Sequence, residues 1–200
     1  MKRIGVALFG VVIVLLCIMP AMAEDQLVPD ERSRIPKGGM DTQSPVLDGS
    51  AFTNYDTFFV HGTFAEAEPG YGVVSDYDAG YGRYTTIRHG SYAWIDCPIP
   101  SYEKKTGGVQ PQVRYLAIYY GSEGTNLKID FIWVFNGSTV VNSISYSPPI
   151  YSSDYTVHII DLGGWYTINR GLNMAVRVVN DDPTYDRTFV IAGYGARFEW

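Results

Sequence analysis

The stretch LKIDFIWVFNGSTVVNSISY, residues 127–146, decides the fold class. Its apolar residues Leu127, Ile129, Phe131, Trp133 and Phe135 recur at every second position, the period of a strand with one face on a core. The alternation assigns all five to the same side and leaves Asp130 on the other, solvated side. Asn136-Gly137 then interrupts the run, and a second segment of Val, Ile and Ser follows. Two such runs around Asn-Gly read as a β-hairpin. Outward from it, VRYLAIYY (113–120), YTVHII (155–160), LNMAVRVV (172–179) and RTFVIAGYGARFEW (187–200) are again β-branched and aromatic. Turn residues separate these runs at short, even intervals, and no helical period is sustained from residue 54 onward. The expectation is an all-β chain: an antiparallel, jelly-roll-like β-sandwich of roughly eight to ten strands.

The first 23 residues have a different character. Lys2 and Arg3 precede an apolar run from Ile4 to Met19, Pro20 breaks it, and Ala21-Met22-Ala23 offers the small residues of a cleavage site. This is the pattern of a secretory signal peptide, and sixteen apolar residues fall short of the roughly 20 that a spanning helix needs. Residues 24–50 carry Pro29, Pro36 and Pro45 with little apolar content and read as a flexible tether. The β-sandwich domain is expected over 51–200, and localisation as secreted, extracellular or in the cell envelope.

Cleavage after residue 23 would leave 177 residues, enough for one domain with a sizeable core. Without Lys2 and Arg3, 13 basic residues face 21 acidic ones, a net charge of −8. With no clustered Lys/Arg to neutralise phosphates, nucleic acid is excluded as a partner, and anionic lipid is disfavoured. Cys97 would be the one remaining cysteine, so no disulfide framework is available and the core must supply stability. It reads as a small buried hydrophobe, with a reactive thiol or an intermolecular bridge as alternatives.

Three landmarks occur in order. His61-Gly62-Thr63 follows an aromatic run, Trp94 precedes Ile99-Pro100 with the spacing W-x-x-x-x-I-P, and the C-terminal segment reads F-x-x-A-G-x-G-A-x-F from Phe189 to Phe198. Together they resemble a family of small prokaryotic all-β domains of unknown function, over most of residues 56–198. The chain departs from that pattern at Phe59, where family members often carry Trp, and in a longer Gly/Tyr-rich insertion near 70–82. The resemblance implies a β-sandwich with no established active site.

Chemistry is tested motif by motif. His61-Gly62 invites a lipase-like oxyanion hole, but no Gly-x-Ser-x-Gly elbow exists; the nearest, YGSEG (120–124), has Tyr120 at the first glycine and no helix after it. Gly62 is therefore expected to be a bulge or close-packing point, with Thr63 and Phe64 carrying the strand onward and His61 making a structural hydrogen bond. His61, His89 and His158 lie in separate segments without metal-motif spacing, and alternation turns His158 toward solvent. Asp76 and Asp78 are spaced as in calcium loops, but Gly80 takes the place of the next oxygen ligand; an Asx-type turn is the alternative to a calcium site. No other cofactor is indicated. Carboxylates for a glycosidase-like hydrolase could come from Glu66, Glu68, Asp96, Asp130 or Asp161. That secreted hydrolase, carboxylate- or metal-dependent, is the rival to a non-catalytic module.

Sixteen tyrosines are the stronger signal. Tyr71, Tyr81, Tyr146, Tyr151 and Tyr155 fall in expected turns, and the tripeptide Gly-Tyr-Gly occurs at 70–72, 80–82 and 193–195. Tyrosine rings stack on sugar C–H faces and offer a hydroxyl, and they also serve protein recognition or merely lid a sandwich. The leading expectation is a non-catalytic module binding a glycan or an envelope protein through these tyrosines, with assembly through exposed strand edges as a third possibility. Asn136-Gly137-Ser138 is a glycosylation sequon whose use depends on the host.

Overall fold

The computed structural model describes residues 52–200; the expected signal peptide and tether lie outside the described residues. Eleven strands follow in order: β1 (Tyr55–His61), β2 (Glu66–Ala67), β3 (Val73–Asp78), β4 (Arg83–Ile87), β5 (Ser91–Ile99), β6 (Gln112–Ser122), β7 (Leu127–Asn136), β8 (Thr139–Ile150), β9 (Thr156–Thr167), β10 (Leu172–Asn180) and β11 (Arg187–Glu199). The excess over the expected eight to ten comes from short pieces around the insertion, β2 having only two residues.

Two antiparallel sheets form. One runs β3-β4-β11-β6-β9, with β1 also paired to β11; the other runs β2-β5-β10-β7-β8. From β4 onward the pairing is nested: β7 with β8, β6 with β9, β5 with β10 and β4 with β11. The chain thus folds as one long hairpin wrapped into two sheets, the jelly-roll arrangement. The core lies between them. Ile95, Cys97, Ile132, Met174 and Val176 project from one sheet toward Leu116, Ile118, Phe189, Tyr194 and Phe198 of the other, all buried. Cys97 is free and fully buried, and burial pushes its thiol well above the ordinary range, which makes it inert as a nucleophile.

The β7–β8 hairpin forms where expected, but Asn136 still pairs with Thr139, so its loop is Gly137-Ser138. Gly137 takes φ 59°, the positive value a II′ turn asks of its first central residue.

Three expectations are corrected. Leu127, Ile129, Phe131, Trp133 and Phe135 do not share a side. A β-bulge at Asp130 shifts the β7–β10 register between Phe131 and Ile129, so Leu127 and Ile129 stay in the core while Ile132 and Val134 replace the next alternate residues there. Phe131, Trp133 and Phe135 are thereby turned to the outside. His158 does not face solvent: it shares the inward side of β9 with Ile160 and Leu162 and meets the Tyr146 hydroxyl at 3.0 Å. Thr63 and Phe64 do not continue β1; Gly62–Phe64 form a single 3₁₀ turn.

Candidate functional site

The bulge in β7 creates the most distinctive surface among the described residues, the outer face of the five-stranded sheet. Registers define its rows. Trp94 of β5 pairs with Arg177 of β10, which pairs with Phe131 of β7 and then Ser145 of β8. In the adjacent row Glu66, Asp96, Ala175, Trp133 and Ser143 stand side by side. Directly opposite residues of neighbouring strands share a face, so all these side chains point away from the core.

Ala175, a single methyl between Asp96 and Trp133, leaves room for two indoles to meet above it. Trp94 and Trp133 stack with centroids 4.7 Å apart and planes 9° from parallel. Trp94 is 8% exposed and Trp133 is 39% exposed, so the open ring of the pair belongs to Trp133. Phe131 and Phe135 brace Trp133 edge-on at 5.7 and 6.2 Å. Such rings are held by their neighbours and lose little entropy when a ligand arrives.

The polar groups are equally fixed. Arg177 donates from Nε and Nη2 to the two oxygens of Asp130, both at 2.8 Å, a bidentate fork. That bond is the main cause of its raised guanidinium pKa, which leaves it charged at any working pH. Its guanidinium lies 5.4, 5.6 and 5.9 Å from the rings of Phe131, Trp94 and Tyr92. Asn173 donates to Asp96 at 2.7 Å, while its Oδ1 is buried without a partner. At the β2 margin Glu68 bonds through its backbone to Trp94, and its carboxyl is raised above the ordinary value by burial and then by the charge of Asp96. Tyr71, held at φ 48°, packs tilted against Tyr92 with centroids 5.2 Å apart and extends the aromatic surface. The arrangement offers one open indole, flanked on both sides by hydrogen-bonding groups in fixed geometry.

The structure does not gather the five expected tyrosines. Tyr71 joins the sheet face. Tyr81 and Tyr151 are exposed in separate turns. Tyr146 is half-buried against the core, and burial pushes its hydroxyl up to about 12. Tyr155 packs on Tyr84 and Val190 beside the six-stranded sheet. Phe131, Trp133 and Phe135 were missed as site residues because unbroken alternation put the β7 aromatics in the core, and Trp94 was read only as a motif landmark.

The other candidates have specific partners. Asp76 accepts Arg83 on both oxygens (2.9 and 2.5 Å), the Thr85 hydroxyl at 2.8 Å and the Ala67 amide at 3.2 Å. Asp78 accepts the Gly80 amide at 3.4 Å, the geometry of an Asx-type turn. No group of three or more His, Cys, Asp or Glu among the described residues is placed to hold a metal ion. His61 caps its 3₁₀ turn, accepting from the Thr63 amide at 3.4 Å, and His89 is paired with Asp186 at 2.9 Å. Asn136 accepts the Asn169 and Arg170 amides at 3.2 and 2.8 Å and donates to Thr167 and Asn169. Its amide nitrogen is therefore engaged inside the fold. Of the five carboxylates, Glu66, Glu68 and Asp96 come together, Asp130 is tied to Arg177, and Asp161 lies on the other sheet.

No known protein family matches the chain, and no curated protein does. Similar solved structures include a family 29 carbohydrate-binding module from Piromyces equi, with 10% identity, a TM-score of 0.39, and 72% of this chain matched to 91% of that one. A family 35 carbohydrate-binding module from Clostridium thermocellum has 14% identity and a TM-score of 0.39 over 72% of this chain and 99% of that one. An exo-β-1,3-galactanase from Phanerochaete chrysosporium has 10% identity and a TM-score of 0.39, and this chain spans 29% of its length. No helix among the described residues is long and apolar enough to cross a membrane.

Proposed function

We propose that the protein is an exported, non-catalytic β-sandwich module that binds saccharide chains on the outer face of its five-stranded sheet. The observation that carries this is the open Trp133 ring, stacked on Trp94 and bordered by the Arg177–Asp130 fork and the Ser143 and Ser145 strand. A pyranose presents an apolar C–H face and a rim of hydroxyls. An indole covers the first, and carboxylate, guanidinium, amide and serine groups answer the second. Export rests on the N-terminal pattern of residues 1–23. The ordered His-Gly-Thr, W-x-x-x-x-I-P and C-terminal motifs fit membership of the small prokaryotic all-β family as a proposal of the same standing.

Affinity electrophoresis of residues 24–200 in gels containing β-glucan, xylan, mannan, galactan or chitosan tests the reading. The wild type is expected to be retarded by at least one polymer, and Trp133→Ala to lose about tenfold or more of that retardation, the share of one stacked ring. Full retardation of Trp133→Ala would remove the sheet face as the site, and Tyr151→Ala in the same gels tests the exposed loop instead.

A second reading is favoured by one observation. Glu66, Glu68 and Asp96 cluster beside Trp94, with Glu68 raised above its ordinary value, as an acid catalyst needs. Release of reducing ends from the retained polymer, lost in Glu68→Gln, would establish hydrolysis.

A further inference from the structure

The six-stranded sheet carries, on the opposite outer face, a second guanidinium–carboxylate fork beside aromatic rings. Arg114 of β6 donates from Nε and Nη2 to both oxygens of Asp161 on β9, at 2.9 and 2.8 Å. The guanidinium lies 5.1 Å from the Tyr115 ring. Trp165 meets Tyr115 edge-on at 6.3 Å and Phe52 at 4.7 Å. Tyr115 belongs to the outer face, since its neighbours Leu116 and Ile118 enter the core and it pairs with Arg197.

A strand irregularity again does the placing. Between the pairs Tyr115–Asp161 and Val113–Tyr166, β9 has four residues where β6 has only Arg114. This excursion, Leu162 to Trp165, turns on Gly163, whose φ of 72° excludes most side chains and whose amide donates to Asp161 at 2.9 Å. The excursion therefore fixes the acceptor of the fork and swings Trp165 to the surface beside it. In β7 the bulge residue Asp130 is likewise the acceptor of the other fork, next to the turned-out Phe131 and Trp133. Bulges that re-aim side chains are concentrated next to functional sites.

We infer that this face is a second saccharide site, so that one domain grips two polymer segments on opposite sides. The occupant follows from the chemistry. The guanidinium–carboxylate fork is internally neutral, with side chains 34% and 45% exposed, and it offers donors and acceptors to hydroxyls without demanding a charged partner. The aromatic groups beside it are the partly exposed Trp165 and Phe52, with Trp165 braced edge-on by the Tyr115 ring, which is 7% exposed. The inference rests on the saccharide reading of the first face, and it adds a consequence the first face alone cannot have: cross-linking.

The test uses the polymer that retards the wild type, in two assays. Affinity electrophoresis reads binding, and turbidity of the dissolved polymer on adding protein reads cross-linking. Trp165→Ala and the charge-removing pair Arg114→Gln with Asp161→Asn are expected to keep retardation within about tenfold and to abolish turbidity. Trp133→Ala should also abolish turbidity while losing the roughly tenfold or more of retardation expected of the first face, and the double variant Trp133→Ala/Trp165→Ala should lose both, because neither face then keeps its indole. Wild-type turbidity in the Trp165 and fork variants, or a wild type that binds without turbidity, overturns the second site and leaves the first intact. Full binding in every variant overturns the saccharide reading of both faces. Thermal melts of each variant identify any that fail to fold, and Trp165→Phe, which keeps a ring, should restore turbidity.

Discussion

Gly62 shows how a residue that looks catalytic acquires a structural explanation. A Cβ at this position would sit 1.8 Å from the Ile191 carbonyl oxygen, a backbone atom of the central strand β11 that cannot step aside cheaply. Gly62→Ala is therefore expected to destabilise the domain by about 1–3 kcal/mol or more, read by urea denaturation. His61→Ala should cost far less, since it removes exposed hydrogen bonds to the Thr63 amide and hydroxyl. The close approach at Gly62 and the local bond of His61 were both legible, because a glycine after an apolar run signals backbone crowding. The 3₁₀ turn was not: Thr63 and Phe64 suit a strand, and only the crossing of β11 denies them one. The other motif residues have equally physical roles. Ile99 is core, and Gly193 and Gly195 lie under the Phe59 ring, which a Cβ on Gly193 would meet at 2.4 Å.

Strands β6, β7, β9, β10 and β11 were read correctly as elements, because β-branched and aromatic runs bounded by turns leave few alternatives. The faces of β7 were not. Its bulge falls at Asp130, in LKIDFIW, with no glycine or proline to announce it, and one inserted residue exchanges the inner and outer sets beyond it. The candidate site was therefore hidden by an otherwise sound alternation argument. The same feature yields a quantitative expectation. If Trp94 and Trp133 act as a stacked unit across β10, a double-mutant cycle of Trp94→Ala and Trp133→Ala in denaturant should show a coupling of about 0.5–1.5 kcal/mol. Additivity of the two single changes would show that the rings are merely neighbours.

The two sheets are joined by more than apolar contact. Tyr146 of β8 and His158 of β9 bond across the interface between them, and burial holds His158 below its ordinary value of 6.5. The unfolded chain then takes up that proton more readily than the folded one. The associated stability is complete above about pH 6.5 and is lost as pH falls through the lower folded value. Urea midpoints measured from pH 8 to pH 4.5 should decline in that window for the wild type and stay flatter for His158→Gln. Asp56, Asp161 and Asp186, each held below 3.8 by its partners, keep their stabilisation throughout that window and lose it only at stronger acidity. The nested pairing has a further consequence, in time rather than space. β11 is the shared partner of β1, β4 and β6, so the larger sheet has no centre until β11 has been made. A chain truncated after Asp186 would keep ten of the described strands without the shared partner of β1, β4 and β6, and is expected to be cut by proteases far faster than the full chain.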